Sequence, residues 1–166
     1  MNLIAAAAKD WGIGRDNGLL FRIPRDMQFF RETTTGKVVV MGRRTLESFP
    51  GRRPLPNRTN IVLTRNLDYS AEGVILCHSP EELLARTAAY PPEDVFLCGG
   101  AEIYRLFLNR CRLAYITRVN AMAPADSFLP DLDKDPAWVL REASAPVEDH
   151  GYTMTFCTYE NLHMKK

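Results

Sequence analysis

The sequence predicts an α/β fold: a single domain built on a central, mostly parallel twisted sheet flanked by helices, with an antiparallel C-terminal edge strand. Three observations predict it. Short β-branched runs alternate with helical patterns through most of the chain. Two of those runs pass straight through glycine into a helix. Two late apolar runs, at 138–142 and 152–159, have no helix between them and so can pair antiparallel.

At 166 residues the chain is the size of one ordinary domain, 1–166, and can bury a core without disulfide or metal staples. Its 46% hydrophobic and 25% charged residues are globular proportions, and a formal charge of +1 gives no broad field for nucleic acid or an anionic membrane. Neither partner is expected. Residues 1–10 are apolar but too short for a membrane span and lack a basic leader and cleavage pattern, so they read as the first, buried strand of a cytoplasmic protein. Cys77, Cys98, Cys111 and Cys157 are widely spaced and read as reduced thiols. His78, His150 and His163 lack zinc-site spacing, and no metal is assigned.

After the first strand, residues 9–18 carry three glycines with turn-forming Asp and Asn and read as a long loop. Leu19 and Leu20 fit neither helix nor strand; they are either a lid over the next helix or anchors that pin the loop to the core. That helix starts at Pro24, suited to the first helical position, and places Asp26 in the first turn, where the dipole favours negative charge. Ile23, Met27 and Phe30 follow helical spacing, which sets Asp26 close to an apolar face. The carboxylate therefore has two readings: a charge complementing the dipole, or an acid in a cleft.

The helix ends near Gly36, and 37–41 is a strand buried on both faces. Gly42 then opens a short helix bearing Arg43 and Arg44, an anion-binding arrangement. Residues 50–58 form an exposed Pro- and Arg-rich loop. The strand at 60–64 ends on Thr64 and Arg65, at the sheet edge where α/β proteins bind ligands. A strand at 74–77 precedes a helix capped by Ser79, with Pro80 first and Glu82 completing a capping box. The strand at 94–98 leads through Gly99 and Gly100 into another helix, without the G-x-G-x-x-G dinucleotide fingerprint. Thr117 lies within the strand at 113–119, and 125–130 is a turn.

Glycine-led helix starts at Gly42 and Gly99, joined by Arg43, Arg44 and Arg65, suggest a nucleotide with more than one phosphate site. The surplus arginines favour a 2′-phosphate, hence NADP over NAD. With no metal site, reactive-thiol motif or nucleophile elbow, Asp26 is the distinctive candidate for proton chemistry. A nicotinamide cofactor with one acid is consistent with reduction of a polar, protonatable double bond.

The order and spacing of Gly12-Ile13-Gly14, Asn17, Ile23-Pro24-Arg25-Asp26, Met41-Gly42-Arg43, Arg53-Pro54-Leu55-Pro56, Gly99-Gly100-Ala101, Ile103-Tyr104, Tyr115-Ile116-Thr117 and Asp126 closely resemble the dihydrofolate reductases of the bacterial, monomeric chromosomal type. The resemblance implies hydride transfer from NADPH to 7,8-dihydrofolate, giving 5,6,7,8-tetrahydrofolate, in a monomer open to antifolates. It places Asp26 and Thr117 at the pterin, with Leu19 and Phe21 beside the reaction. Ile4, Ala5, Met27, Phe30, Phe49, Leu55, Cys98 and Tyr104 would line the folate pocket, and Arg58 would pair with the glutamate tail. Ala6, Ile13, Gly14, Gly42 and Leu63 would meet the cofactor, with Gly99, Gly100, Ala101, Glu102 and Ile103 on its other side. Arg43, Thr64 and Arg65 would surround its 2′-phosphate, and Arg44 and Thr45 its pyrophosphate.

Departures from the family pattern are Phe21 where Trp is usual, Leu20 for a usual Pro, and Arg44 for a common His. Two other readings remain at this point: an NADPH-dependent pyrimidine reductase of riboflavin synthesis, and a catalytically idle NADPH- or folate-binding homologue.

Overall fold

A computed structural model describes residues 1–166. The first strand, β1 (Asn2–Ala7), lies at the middle of a nine-stranded sheet, and the reason is its composition: Leu3 and Ala7 are fully buried, and small alanines let helices and loops approach closely. A hairpin follows, β2 (Gly12–Arg15) and β3 (Gly18–Leu19), and then α1 (Pro24–Thr34). Strand β4 (Val38–Gly42) runs into α2 (Arg43–Ser48); β5 (Thr59–Leu63) and β6 (Val74–Cys77) precede α3 (Pro80–Thr87). Strand β7 (Val95–Leu97) leads to α4 (Ala101–Phe107) and β8 (Leu113–Val119). The chain ends with β9 (Ser127–Phe128), β10 (Trp138–Ala143), β11 (Val147–Asp149) and β12 (Tyr152–Asn161).

The strand order is β10-β12-β8-β1-β7-β4-β5-β6, with β11 paired to β12. All pairings from β8 to β6 are parallel; β12 is antiparallel to β8, β10 and β11. The mostly parallel sheet with an antiparallel C-terminal edge agrees with the expected class. Valines 38, 39 and 40 are each at most 3% exposed, as their β-branched run requires of a strand covered on both faces.

Two assignments need correction. Residues 9–18 are not simply a loop: Asp16 and Asn17, at φ of 51° and 59°, make a two-residue turn between β2 and β3, the backbone twist that such hairpins demand. The turn at 125–130 contains β9, which pairs β2 in a separate three-stranded sheet. Both strands are too short for alternation to show in sequence.

The apolar face of α1 also differs from a core face. Ile23 caps the helix and is 1% exposed, but Met27 is 47% exposed and Thr34 is the helix's one buried residue. Met27 is exposed and Phe30 half-buried.

Candidate active site

Asp26 sits in the first turn of α1, on the side facing β8. Thr117, buried within β8, donates its hydroxyl to Asp26 Oδ1 at 2.6 Å across 91 residues of chain. Burial raises the Asp26 pKa above its ordinary value, and the Thr117 hydrogen bond acts in the opposite, smaller direction. The Asp26 carboxyl is thus half-buried with one hydroxyl donor, while it still stands in the first turn of its helix.

The neighbouring wall is fixed by Tyr104, whose buried phenol donates to the Ile4 carbonyl at 2.9 Å. Burial pushes that phenol's pKa well up, so it remains a donor. Phe49, Leu55 and Cys98 gather over a small cluster of Val39, Met41, Leu46 and Val62, and burial pushes the Cys98 thiol up to about 12, which leaves it unreactive. Arg58 is held at the far end of α1, with Nε donating to the Pro56 carbonyl at 2.9 Å and Nη1 to Thr34 Oγ1 at 3.3 Å. Asn60 orders that loop: it accepts from the Leu55 amide at 3.0 Å and donates to the Leu55 and Arg58 carbonyls at 2.9 and 3.2 Å. From sequence alone Asn60 is only the start of a strand.

On the other side of the sheet's carboxyl edge lies a cleft of about 800 Å³. Of the residues expected at a cofactor, Gly42, Arg43, Arg44, Thr45, Leu63, Thr64, Arg65, Gly100, Ala101, Glu102 and Ile103 line it. Its walls are the turns after β4, β5 and β7, the place where a parallel sheet gathers amides and helix starts. Gly99 and Gly100 are joined by a cis peptide, and the Gly99 carbonyl accepts from the Gly42 amide at 2.9 Å, tying two glycine turns together. Gly99 has φ of 121°, open only to glycine.

Ala6, Ile13, Gly14 and Gly99 stand outside that lining. Asn66, His78, Ser79, Pro80 and Arg105 line it without having been expected. Half of the expected capping box at the start of α3 is present: the Glu82 amide donates to Ser79 Oγ at 3.1 Å, but the Glu82 carboxylate accepts the His78 amide at 2.9 Å, one residue before the cap, in place of the cap's own amide. The available signal was that β6, too, is a strand running directly into a helix. Arg65 and Glu102 form an exposed ion pair at 3.5 Å across the cleft mouth, worth little in water.

The turn of the β2–β3 hairpin borders this cleft. Asn17 donates to the Arg44 carbonyl at 3.0 Å, and Asp126 accepts the Asp16 amide at 2.9 Å. Leu19, expected beside the reaction, is 59% exposed at the hairpin's edge. Phe21 is 6% exposed within a small core of Ala8, Ile23, Val119 and Met154, and offers no hydrogen-bond donor there.

The cleft fits a dinucleotide phosphate on its chemistry. It has the volume of a cofactor site, presents Arg43, Arg44, Arg65 and Arg105 against few carboxylates, and exposes glycine backbone at Gly42 and Gly100. No group of three or more His, Cys, Asp or Glu side chains could hold a metal ion.

A family model described as dihydrofolate reductase matches residues 1–161. Dihydrofolate reductase of Neisseria gonorrhoeae is 36% identical over 159 residues, 96% of both chains, and that of Haemophilus influenzae is 39% identical over 132 residues, 80% of this chain and 79% of the other. The bifunctional dihydrofolate reductase-thymidylate synthase of Glycine max is 40% identical over 176 residues, and the chain, 95% covered, spans 33% of that relative's length. A solved structure of dihydrofolate reductase from Enterococcus faecalis complexed with NADP(H) and RAB-propyl superposes with a TM-score of 0.86 at 36% identity, covering 96% of this chain and 95% of that one.

Proposed function

Because the chain belongs to the dihydrofolate reductase family, we propose that it reduces 7,8-dihydrofolate to 5,6,7,8-tetrahydrofolate with NADPH. The observation that carries this reading is the half-buried carboxyl of Asp26 on Thr117, beside a cleft rich in arginine and exposed glycine backbone. NADPH, when bound, supplies the hydride.

The chain's own residues do the rest. Arg43, Thr64 and Arg65 hold the 2′-phosphate, and Arg44 with Thr45 the pyrophosphate, as charge-assisted donors near short helix starts. Ala6, Ile13, Gly14, Gly42, Leu63 and residues 99–103 shape the nicotinamide side. Asp26 takes the pterin's amino group and ring nitrogen in two hydrogen bonds, and its raised pKa lets it hold a proton there that a solvated carboxylate would release. Thr117 fixes the orientation of that carboxyl. The pterin is protonated from water at the ring nitrogen beside the hydride acceptor. Ile4, Ala5, Met27, Phe30, Phe49, Leu55, Cys98 and Tyr104 exclude bulk water from the pterin and its linker, and Arg58 pairs with the glutamate carboxylate. Leu19 and Phe21, on the covering segment, shield the reacting ring.

The pterin site at Asp26 receives antifolates that present a protonatable amino-substituted ring to its carboxyl. We read the chain as one domain, 1–166, working as a monomer in the cytoplasm. No helix is long and apolar enough to cross a membrane. The test is direct: mixed with NADPH and dihydrofolate, the protein oxidises the nicotinamide, seen as falling absorbance, and oxidation no faster than background overturns the reading.

A further inference from the structure

The helix that carries Asp26 has no cap of its own. Its cap position is Ile23, which makes no side-chain hydrogen bond, and Pro24 at the first helical position brings no amide. The first open amide belongs to Arg25, and Asp149 takes it, Oδ2 at 3.0 Å, from 124 residues further along the chain. Asp149 ends β11; His150 and Gly151, at φ of 47° and 83°, turn the chain into β12. The first residue of β12, Tyr152, lies edge-on to Phe21 with ring centroids 5.3 Å apart. One hairpin therefore grips residues 21–26 at two points.

Asp26 stands one position beyond Arg25, in the turn whose unpaired amides attract an acidic side chain. Its carboxyl has two competing sets of donors, its own helix terminus and the Thr117 hydroxyl. Thr117 holds it at 2.6 Å, while the Arg25 amide is already occupied. We infer that Asp149 is a positioning residue for the reduction: it caps α1 in place of Asp26 and so leaves the Asp26 carboxyl turned to Thr117 and the cleft. The Asp149 carboxyl is itself held below its ordinary range, first by the Arg25 amide and then by His150, whose Nδ1 lies 2.9 Å from its other oxygen. It is an ionised cap.

The inference rests on the reductase reading for the activity it modulates, so the experiment reads the carboxyl as well as turnover. Asp149→Ala removes the acceptor; Asp149→Asn removes the charge and keeps an acceptor of the same reach. In Asp149→Ala, kcat/KM for dihydrofolate falls about fivefold or more while NADPH affinity stays within about twofold. The Asp26 carboxyl carbon, followed by ¹³C NMR, titrates at lower pH as its own helix amides replace Thr117. Asp149→Asn keeps both near wild type. An Asp26 titration unchanged in Asp149→Ala, or equal behaviour of the Ala and Asn variants, overturns the inference. The expected titration shift in Asp149→Ala, beside a wild type that fails to reduce dihydrofolate, overturns the functional reading alone.

Discussion

Replacing Thr117 by Val, a substitution of nearly equal shape, removes the one hydroxyl that Asp26 holds and leaves the carboxyl without its partner. A hydrogen bond to a charged group contributes about 1.5–3 kcal/mol, and one between neutral groups about 1 kcal/mol. The loss therefore depends on whether Asp26 is ionised. In the native protein burial raises its pKa above the ordinary 3.8, and Thr117 lowers it in part. Without Thr117 the native pKa rises further, so the variant's folded state binds its proton more tightly than the wild type does. The sign follows from linkage: the penalty of Thr117→Val is smallest below the unfolded-state pKa near 3.8, and it grows as pH rises through the native value. At about pH 8 the full 1.5–3 kcal/mol lowers the melting temperature by roughly 3 to 12 °C for a chain of this length. Near pH 4 the shift contracts toward that of a neutral bond. The assay is thermal unfolding of both proteins across that range, beside steady-state reduction of dihydrofolate. A bond of equal strength in the free enzyme and the transition state leaves kcat/KM unchanged, so any fall in kcat/KM reads how far the bond strengthens along the reaction path. Equal destabilisation at both ends of the pH range refutes the assignment of an ionisable acceptor to Thr117.

Asp26→Asn removes the ionised form altogether. Since the native pKa is raised, wild-type Asp26 lowers stability as pH climbs through that value, so the Asn variant melts higher than wild type at about pH 8 and not at about pH 4; its turnover loss is most severe at neutral and high pH, where protonated substrate is scarce. A variant that melts lower at about pH 8, or loses activity equally at all pH values, contradicts this. Gly14→Ala places a Cβ 2.8 Å from the Gly18 carbonyl oxygen, inside the β2–β3 hairpin. The hairpin must spread, at a cost of about 1–3 kcal/mol, and stopped-flow measurement should find NADPH leaving several-fold faster; an unchanged release rate shows that the hairpin does not cover the cofactor.

The parallel sheet was legible because β4, β5 and β7 are buried on both faces, and such strands read as unbroken apolar runs. The arginine-bearing turns were legible for a related reason: a glycine directly between a strand and a helix is a local signal. Periodicity places Met27 on an apolar face but does not say whether that face is buried, and nearly half of Met27 is exposed. The β2–β3 hairpin was hidden in glycines, yet the Asp16-Asn17-Gly18 tripeptide carried its turn. Asp149 was beyond reach of sequence, because its partner is a backbone amide 124 residues away and every residue has a backbone. Thr117 had a strand's ordinary composition, and only its distance to Asp26 sets it apart.

The position of β1 has a consequence for synthesis on the ribosome. The middle strand of the sheet is made before every other strand, while its neighbours β7 and β8 begin at residues 95 and 113. During that interval a six-residue apolar strand waits with both edges unpaired. Its pairing cannot begin locally and must close loops of the longest kind in the chain, a topology that folds slowly and exposes adhesive edges meanwhile. Holdase chaperones that engage nascent chains should accordingly bind this segment in preference to the self-pairing β10–β12 region. Substitutions that slow β8 docking should reduce the yield of folded protein even where its final stability is unchanged.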